Sequence, residues 1–217
     1  MRSQTIAVLL CLGLSPIANA EPVDIAPEII EQSPTLQRWQ QEIPDIQQEI
    51  RRDPSFRTRV RVGYVEYLDD RDGGIGVGVE DVFVGRTGLT LSADYQTAFN
   101  GTREGLGVSA QYYVLPLGAV VNFAPVVGFR YVEQDNFNVS GLDLGLRGRL
   151  ALSRSGAADF TITQRFVAPG TAEEVGILTL SSGYALTKSL RLSAEWERQN
   201  AIAIKETRIG FLLELIP

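Results

Sequence analysis

Apolar and polar residues alternate along most of the chain, over residues 57–216. The clearest stretch alternates Leu142 and Leu144 with Asp143 and Gly145. A period of two residues indicates β-strands that have one apolar and one polar face. Ten such segments follow one another with short connections, and they predict an all-β fold, a ten-stranded antiparallel barrel. The predicted strands cover residues 57–67, 74–84, 88–97, 105–114, 119–131, 139–152, 158–167, 174–184, 189–198 and 206–216.

The connections predicted between these strands alternate in length. Short turns on one rim and longer, more polar loops on the other are typical of outer-membrane barrels, whose short turns face the periplasm. The strand lengths match the roughly 9–11 residues that a tilted strand needs to cross a bilayer. An even number of strands returns both chain ends to the periplasmic side. Short turns are expected at 85–88, 115–118, 153–157 and 185–188, and longer loops at 68–73, 99–104, 132–138, 168–173 and 199–205.

Alternation alone does not say which face of the barrel points outward, because a soluble, lipocalin-like barrel has the same pattern with its apolar face inside. Glycine is frequent on the polar face, which suits a crowded lumen. Aromatic residues on the apolar face lie near strand ends, as two interfacial girdles require. These features favour a lipid-facing apolar surface, on which Asp81 and Gln164 fit badly. The aromatic residues are Phe83, Tyr95, Tyr112, Phe123, Phe129, Tyr131, Phe160, Phe166, Tyr184 and Trp196.

The last predicted strand continues the alternation with Ile209, Phe211, Leu213 and Leu215. With this strand, residues 57–217 resemble the small bacterial outer-membrane barrels, the superfamily of the OmpA membrane domain, OmpX and OmpW, in architecture. The resemblance implies the outer membrane of a Gram-negative-type bacterium, with membrane lipid, the barrel assembly machinery and small solutes as candidate partners. Such barrels usually end on Phe or Trp, the signal that the assembly machinery reads. This chain instead ends Leu215-Ile216-Pro217.

The chain divides into three predicted segments: a signal peptide over residues 1–20, a periplasmic linker and amphipathic helix over 21–56, and the barrel over 57–217. The first has a basic residue, a short apolar run and an Ala-x-Ala cleavage site. In the second, Ser33-Pro34 predicts a helix start, and apolar residues recur at helical spacing at Leu36, Trp39, Ile43, Ile46 and Ile50. Two roles stay open for this acidic segment: a cap on the periplasmic opening, or a helix that lies on the inner leaflet or binds a periplasmic partner.

Composition argues against several kinds of chemistry. The net charge of −6 argues against nucleic acid as a partner, since phosphate binding needs a basic surface. The chain has no His and no Gly-x-Ser-x-Gly, and its one cysteine, Cys11, lies in the predicted signal peptide. We therefore expect no enzyme, no catalytic residues and no cofactor. The segment 70–73 resembles a calcium loop only faintly, and 74–78 lacks the helix that a phosphate-binding loop needs, so no metal or nucleotide site is expected.

If the polar face points inward, two sets of charged residues meet in the lumen. The basic set, all in the periplasmic half, is Arg57, Arg59, Arg61, Arg147, Arg149 and Arg191. The acidic set is Glu80, Asp94, Asp143, Glu195, Glu197 and Glu214. One interpretation is a permeation path whose basic lower vestibule favours anions. The other is an ion-pair network that fills a narrow lumen.

Two functions follow from these interpretations. The first is a narrow passive pore for small solutes, or a structural membrane protein, with a lumen largely filled by ion pairs. The alternative is a soluble periplasmic barrel that binds an apolar ligand, with the leucine-rich face inward.

Overall fold

The computed structural model describes residues 33–35, 53–85, 87–135, 137–153, 155–202 and 205–217. Ten antiparallel strands in these residues close into a barrel, in which β1 pairs with β10 and every other strand pairs with its neighbours in sequence. The predicted ten-stranded barrel is therefore confirmed. The strands are β1 (Arg59–Tyr67), β2 (Asp72–Phe83), β3 (Leu89–Ala98), β4 (Arg103–Tyr112), β5 (Val121–Gln134), β6 (Phe137–Ala151), β7 (Ala158–Val167), β8 (Val175–Ala185), β9 (Leu190–Asn200) and β10 (Lys205–Leu215).

The chain divides into two units, Met1–Ile43 and Pro44–Pro217, and the second contains the barrel. In the first unit, residues 34 and 35 are helical. The predicted signal peptide lies outside the described residues, and so do the helix positions Leu36, Trp39, Ile43, Ile46 and Ile50. No helix within the described residues has both the length and the apolar character needed to cross a membrane.

Side chains alternate between the two faces of the barrel wall, and the apolar ones point outward. In β6, Leu142, Leu144 and Leu146 are 50%, 39% and 56% exposed, whereas Asp143 between them is fully buried. Every strand contributes at least one exposed, large apolar side chain in this way. The charged face of the wall therefore lines the lumen.

A β-bulge in β2 reverses the alternation near the end of the strand. The pairing register with β3 shifts between Val79 and Val82, and Asp81 has a positive φ of 56°. The inserted residue turns Asp81 into the lumen, where it is fully buried. Val82 then faces outward, and Phe83 turns inward to stack on Phe56. The predictions that place Asp81 and Phe83 on the outer face are wrong, because simple alternation gives no sign of an inserted residue.

Gln164 does lie on the outer face of β7, between two buried residues that point inward. Its side chain is half-buried, and its amide nitrogen donates to the backbone carbonyl of the next residue, Arg165, at 3.3 Å. The amide therefore satisfies part of its hydrogen-bonding capacity within its own strand.

The β5–β6 hairpin is longer than the sequence predicts. Its strands run to Gln134 and from Phe137, whereas alternation predicts a loop over 132–138. Val132 and Val139, which pair with each other, are both buried. They pack against inward-facing apolar residues of β7 and β8, and burial of this cluster explains why strand pairing continues.

The connections do not divide the barrel into a short-turn end and a long-loop end. We call the end at which β1 begins and β10 ends the terminal end, and the other the loop end. At the terminal end, the connections 84–88, 113–120, 152–157 and 186–189 have five, eight, six and four residues; at the loop end, 168–174 has seven and the others have two to four. The prediction of longer loops at the loop end is wrong, because strand pairing extends into the predicted loops, most clearly at 132–138, where only a tight turn remains.

Candidate functional site: the lumen

A short segment ahead of β1, residues 55–58, reaches across the terminal end of the barrel, and we call it the strap. The backbone nitrogen of Ser55 donates to the carbonyl of Leu117 at 3.0 Å. The Ser55 hydroxyl also lies within hydrogen-bond distance of the carbonyls of Leu117 and Ala119. These carbonyls belong to the β4–β5 turn, which is separated from β1 by two strands on one side of the ring and by more on the other. Sequence analysis assigns Ser55 and Phe56 to the extension, but the structure places both within the barrel end.

Phe56 fills the centre of the terminal end and is 2% exposed. Its ring stacks on Phe83, with ring centroids 5.4 Å apart, and lies 4.5 Å from the ring of Tyr113. The guanidinium carbon of Arg149 lies 4.1 Å from the Phe56 centroid, which is a cation–π distance. The apolar cluster around Phe56 is completed by Leu117 and Ala124. An aromatic side chain therefore closes this end.

Beside Phe56 lies a layer of three arginines and three carboxylates, which we call the terminal lock: Arg59, Arg149, Arg191, Asp81, Asp159 and Glu214. Each of these side chains is at most 5% exposed. Arg59 contacts all three carboxylates, at 3.2–3.5 Å. Arg149 donates to Asp81 at 2.7 Å, and Arg191 pairs with both Asp159 and Glu214. Buried charges of this kind are tolerated because each has a partner of opposite sign.

Neutral donors also hold Asp81. The Tyr113 hydroxyl donates to its carboxylate at 2.9 Å, and the Thr90 hydroxyl lies 3.3 Å from the same oxygen. Thr58 of the strap donates to the backbone carbonyl of Asp81 at 2.8 Å. The strap is therefore tied to the bulge.

A second group of ion pairs lies nearer the middle of the barrel. Glu80 accepts from Arg61 at 3.3 Å and also pairs with Arg147. Arg61 pairs on its other side with Glu195, which in turn accepts from Arg208 at 2.8 Å. These contacts join β1, β2, β6, β9 and β10 across the lumen.

A third group lies nearer the loop end. Arg130 makes two parallel bonds to Asp94, at 2.7 and 2.8 Å, a bidentate geometry that fixes both side chains. Asp143 lies 3.2 Å from Arg165 and 3.5 Å from Arg130, so the two arginines share it. Glu197 accepts from Arg208 at 2.8 Å, which links this group to the second.

The second and third groups, except Asp143, line a cavity of about 750 Å³, counting space that is open to solvent. Part of its wall is formed by Gly76 and Gly78, whose lack of side chains leaves room in the lumen. Asp94 lines this cavity, yet its side chain is 43% exposed, so solvent reaches the cavity. The charged residues that line it are Arg61, Arg130, Arg147, Arg165, Arg208, Glu80, Asp94, Glu195 and Glu197.

At the loop end, a buried ion pair joins two strands. Arg103 at the start of β4 pairs with Glu206 near the start of β10. Its guanidinium lies 5.2 Å from the ring centroid of Tyr67 on β1, the strand that pairs with β10. Arg103 also pairs with Asp70 and Asp72. This cluster narrows one side of the loop-end mouth.

The segment 70–73, considered as a calcium loop, therefore supplies carboxylates to Arg103. The structure shows no group of three or more potential metal ligands in the part of the chain that it describes.

Most of the predicted lumen residues come together in the structure, but the predicted charge balance leaves out Asp81 and Asp159. Arg57 precedes β1 and is exposed, and it is not among the arginines that form the ion pairs of the described lumen. The basic excess of the terminal half falls to one, because Asp81 and Asp159 join Glu80 and Glu214 against five arginines. Within the described residues, nine arginines and eleven carboxylates form ion pairs. The ion-pair network describes this half, and the anion preference of a basic vestibule stays a prediction.

Some residues of the site carry a sequence signal and others do not. Asp159 alternates with Phe160 in β7, so the polar face of that strand could have identified it. The inward turn of Asp81 depends on the bulge, and Phe56 lies outside any alternating segment. Neither could be found from periodicity.

Comparison with known proteins gives structural matches of low similarity. No protein-family model and no curated protein matches the chain. The KdgM porin solved in complex with disordered oligogalacturonate is 13% identical, with a TM-score of 0.44 over 72% of this chain and 98% of that one. The NanC porin is 11% identical, with a TM-score of 0.39 over 74% and 100%. The Acinetobacter baumannii outer-membrane protein Omp33 is 13% identical, with a TM-score of 0.35 over 75% and 98%.

Proposed function

We propose that this chain is an outer-membrane β-barrel of a Gram-negative-type bacterium whose lumen is a narrow pore for small solutes. The observation that carries the proposal is the solvent-accessible, charged cavity inside a wall whose outer face is apolar. The role is non-enzymatic, and it involves membrane lipid and small solutes as partners.

The outer face supports a membrane environment. Residues such as Leu146, Phe129 and Phe211 are 56–60% exposed in the middle of regular strands. Soluble monomers rarely expose a contiguous apolar surface of this extent, whereas a lipid-facing wall requires it. The alternative, a soluble barrel that binds an apolar ligand, would need this face inside.

The lumen supports conduction of small, hydrated solutes. Its cavity is lined by arginines and carboxylates that are fixed in pairs, so a permeating solute meets charged groups of both signs. We therefore expect weak discrimination between anions and cations. The narrow lumen of a ten-stranded barrel limits the solute to small molecules.

A structural membrane protein is the second candidate. The terminal lock and Phe56 fill the terminal half of the lumen, which favours a barrel that is closed for most of the time. The two candidates differ in whether any current crosses the folded protein.

Conductance in planar lipid bilayers tests the proposal, with the folded barrel identified by its heat-modifiable migration on gels. We expect stepwise currents, and a reversal potential close to zero in a salt gradient because the lumen charges are paired. Absence of current from the folded chain and from a variant with an opened terminal end would support the structural role instead. A strongly anion-selective current would contradict the paired-charge lumen.

A further inference from the structure

We infer that the strap is a gate at the terminal end of the barrel, with Phe56 as its stopper. The inference rests on the proposed function, because a gate has meaning only where the lumen conducts. The inference goes beyond the proposed function because it identifies residues 55–58, ahead of β1, as the segment that closes the pore.

The position of the strap supports a closing role. The cavity is reached by solvent, as the exposure of Asp94 shows, and the cavity lining does not include Phe56 or any residue of the terminal lock. The lock and Phe56 therefore separate the cavity from the terminal end. Of these groups, Phe56 and Arg59 come from the same short stretch of chain, the strap and the first residue of β1.

The attachment of the strap makes it separable from the wall. Its residues lie outside the strand ladders, and β1 remains paired with β2 and β10 from residues 59 and 60 onward. The strap is held by the contacts of Ser55 with the β4–β5 turn, by Thr58 on the Asp81 carbonyl, and by the aromatic contacts of Phe56. Release of these contacts leaves all ten strand pairings in place.

Withdrawal of the strap would also loosen the lock. The Phe56 ring lies against the guanidinium of Arg149, which crosses the lumen from β6 to reach Asp81 on β2. Arg59, which follows the strap directly, contacts all three carboxylates of the lock. Movement of one segment therefore acts on the aromatic stopper and on the central arginine of the lock together.

The first test is Phe56→Ala, measured by conductance in planar bilayers. Phe160→Ala is the matched control, because it removes the same side chain from the outer face of β7, where Phe160 is 40% exposed. Heat-modifiable migration selects folded protein for both variants. We expect F56A to raise the mean current severalfold above the unchanged chain and above F160A. Equal currents from F56A and the unchanged chain would overturn the gate and leave the pore intact.

If no current is measured for the unchanged chain, for F56A or for F160A, the result contradicts the pore and therefore also the gate. Current from F56A alone would support both. These outcomes separate a failure of the gate from a failure of the proposed function.

A disulfide between strap and turn gives a second, reversible test. The chain has one cysteine, Cys11, in the predicted signal peptide, so an engineered pair has no competing partner in residues 21–217. Ser55→Cys with Leu117→Cys joins two residues whose backbones are already hydrogen-bonded. We expect the oxidised pair to lower the current, and a reductant to restore it, with each single-cysteine variant unaffected by redox state. A current that is the same in the oxidised and reduced pair would contradict a moving strap.

Discussion

At Asp81, a carboxylate occupies a position that alternation assigns to the outer wall, and one inserted residue brings it into the lumen. There it is fully buried and meets Arg149, Tyr113 and Arg59. Removing one member of a buried ion pair costs more than the pair itself contributes, because the remaining charges stay buried without a partner. The pairing of Arg59 and Arg149 in the terminal half therefore depends on Asp81.

Asp81→Asn tests this role while keeping the size of the side chain. We expect it to lower the free energy of unfolding by about 3–5 kcal/mol, the usual cost of breaking a buried pair. The matched control is Asp70→Asn at the loop end, where the side chain is 60% exposed and the expected loss is at most about 1 kcal/mol. The measurement is denaturant unfolding of the barrel in lipid vesicles. A similar small loss in both variants would show that the terminal lock does not depend on Asp81.

At the scale of the element, strands could be predicted and their irregularities could not. Alternation located all ten strands, because each strand separates an apolar outer face from a polar inner face. It could not locate the bulge at residues 80–81 or the insertion of Phe56, since both depend on contacts between distant segments. These two features determine how the terminal half of the candidate site is filled, which explains why the sequence predicts charged lumen residues but not their balance.

A second prediction concerns β1 and β10, the two strands whose pairing closes the barrel. A Cβ atom at Gly63 would lie 2.1 Å from the carbonyl oxygen of Phe211, a backbone atom that cannot move without disturbing the ladder. A Cβ atom at Gly76 would meet only side chains, the nearest being Val65 at 3.3 Å. We expect Gly63→Ala to lower the free energy of unfolding by at least the roughly 1–3 kcal/mol typical of overpacking.

Gly76→Ala is the control, and we expect its loss to stay below about 1 kcal/mol because the neighbouring side chains can adjust. Denaturant unfolding and heat-modifiable migration give both values. If G63A folds and unfolds like G76A, the close approach of β1 and β10 at this position is wrong.

Across the whole molecule, the two faces of the barrel wall differ in chemistry: the outer face carries apolar side chains, and the inner face carries paired charges. This separation follows from the sequence, and it is also the basis of the membrane proposal. The pore and the strap depend on it, because a lumen that conducts between two compartments requires a wall that seals against lipid. The pore and the strap therefore both depend on the apolar face of the wall being in contact with lipid.

Spin labels on two single-cysteine variants in lipid vesicles test that claim most directly. Leu144→Cys places a label on the outer face of β6, and Thr179→Cys places one in the cavity wall. We predict that oxygen dissolved in the lipid relaxes the L144C label strongly and the T179C label weakly, while a water-soluble nickel chelate does not reach L144C. Relaxation of the L144C label by the chelate, with little effect of oxygen, would contradict a barrel embedded in a membrane.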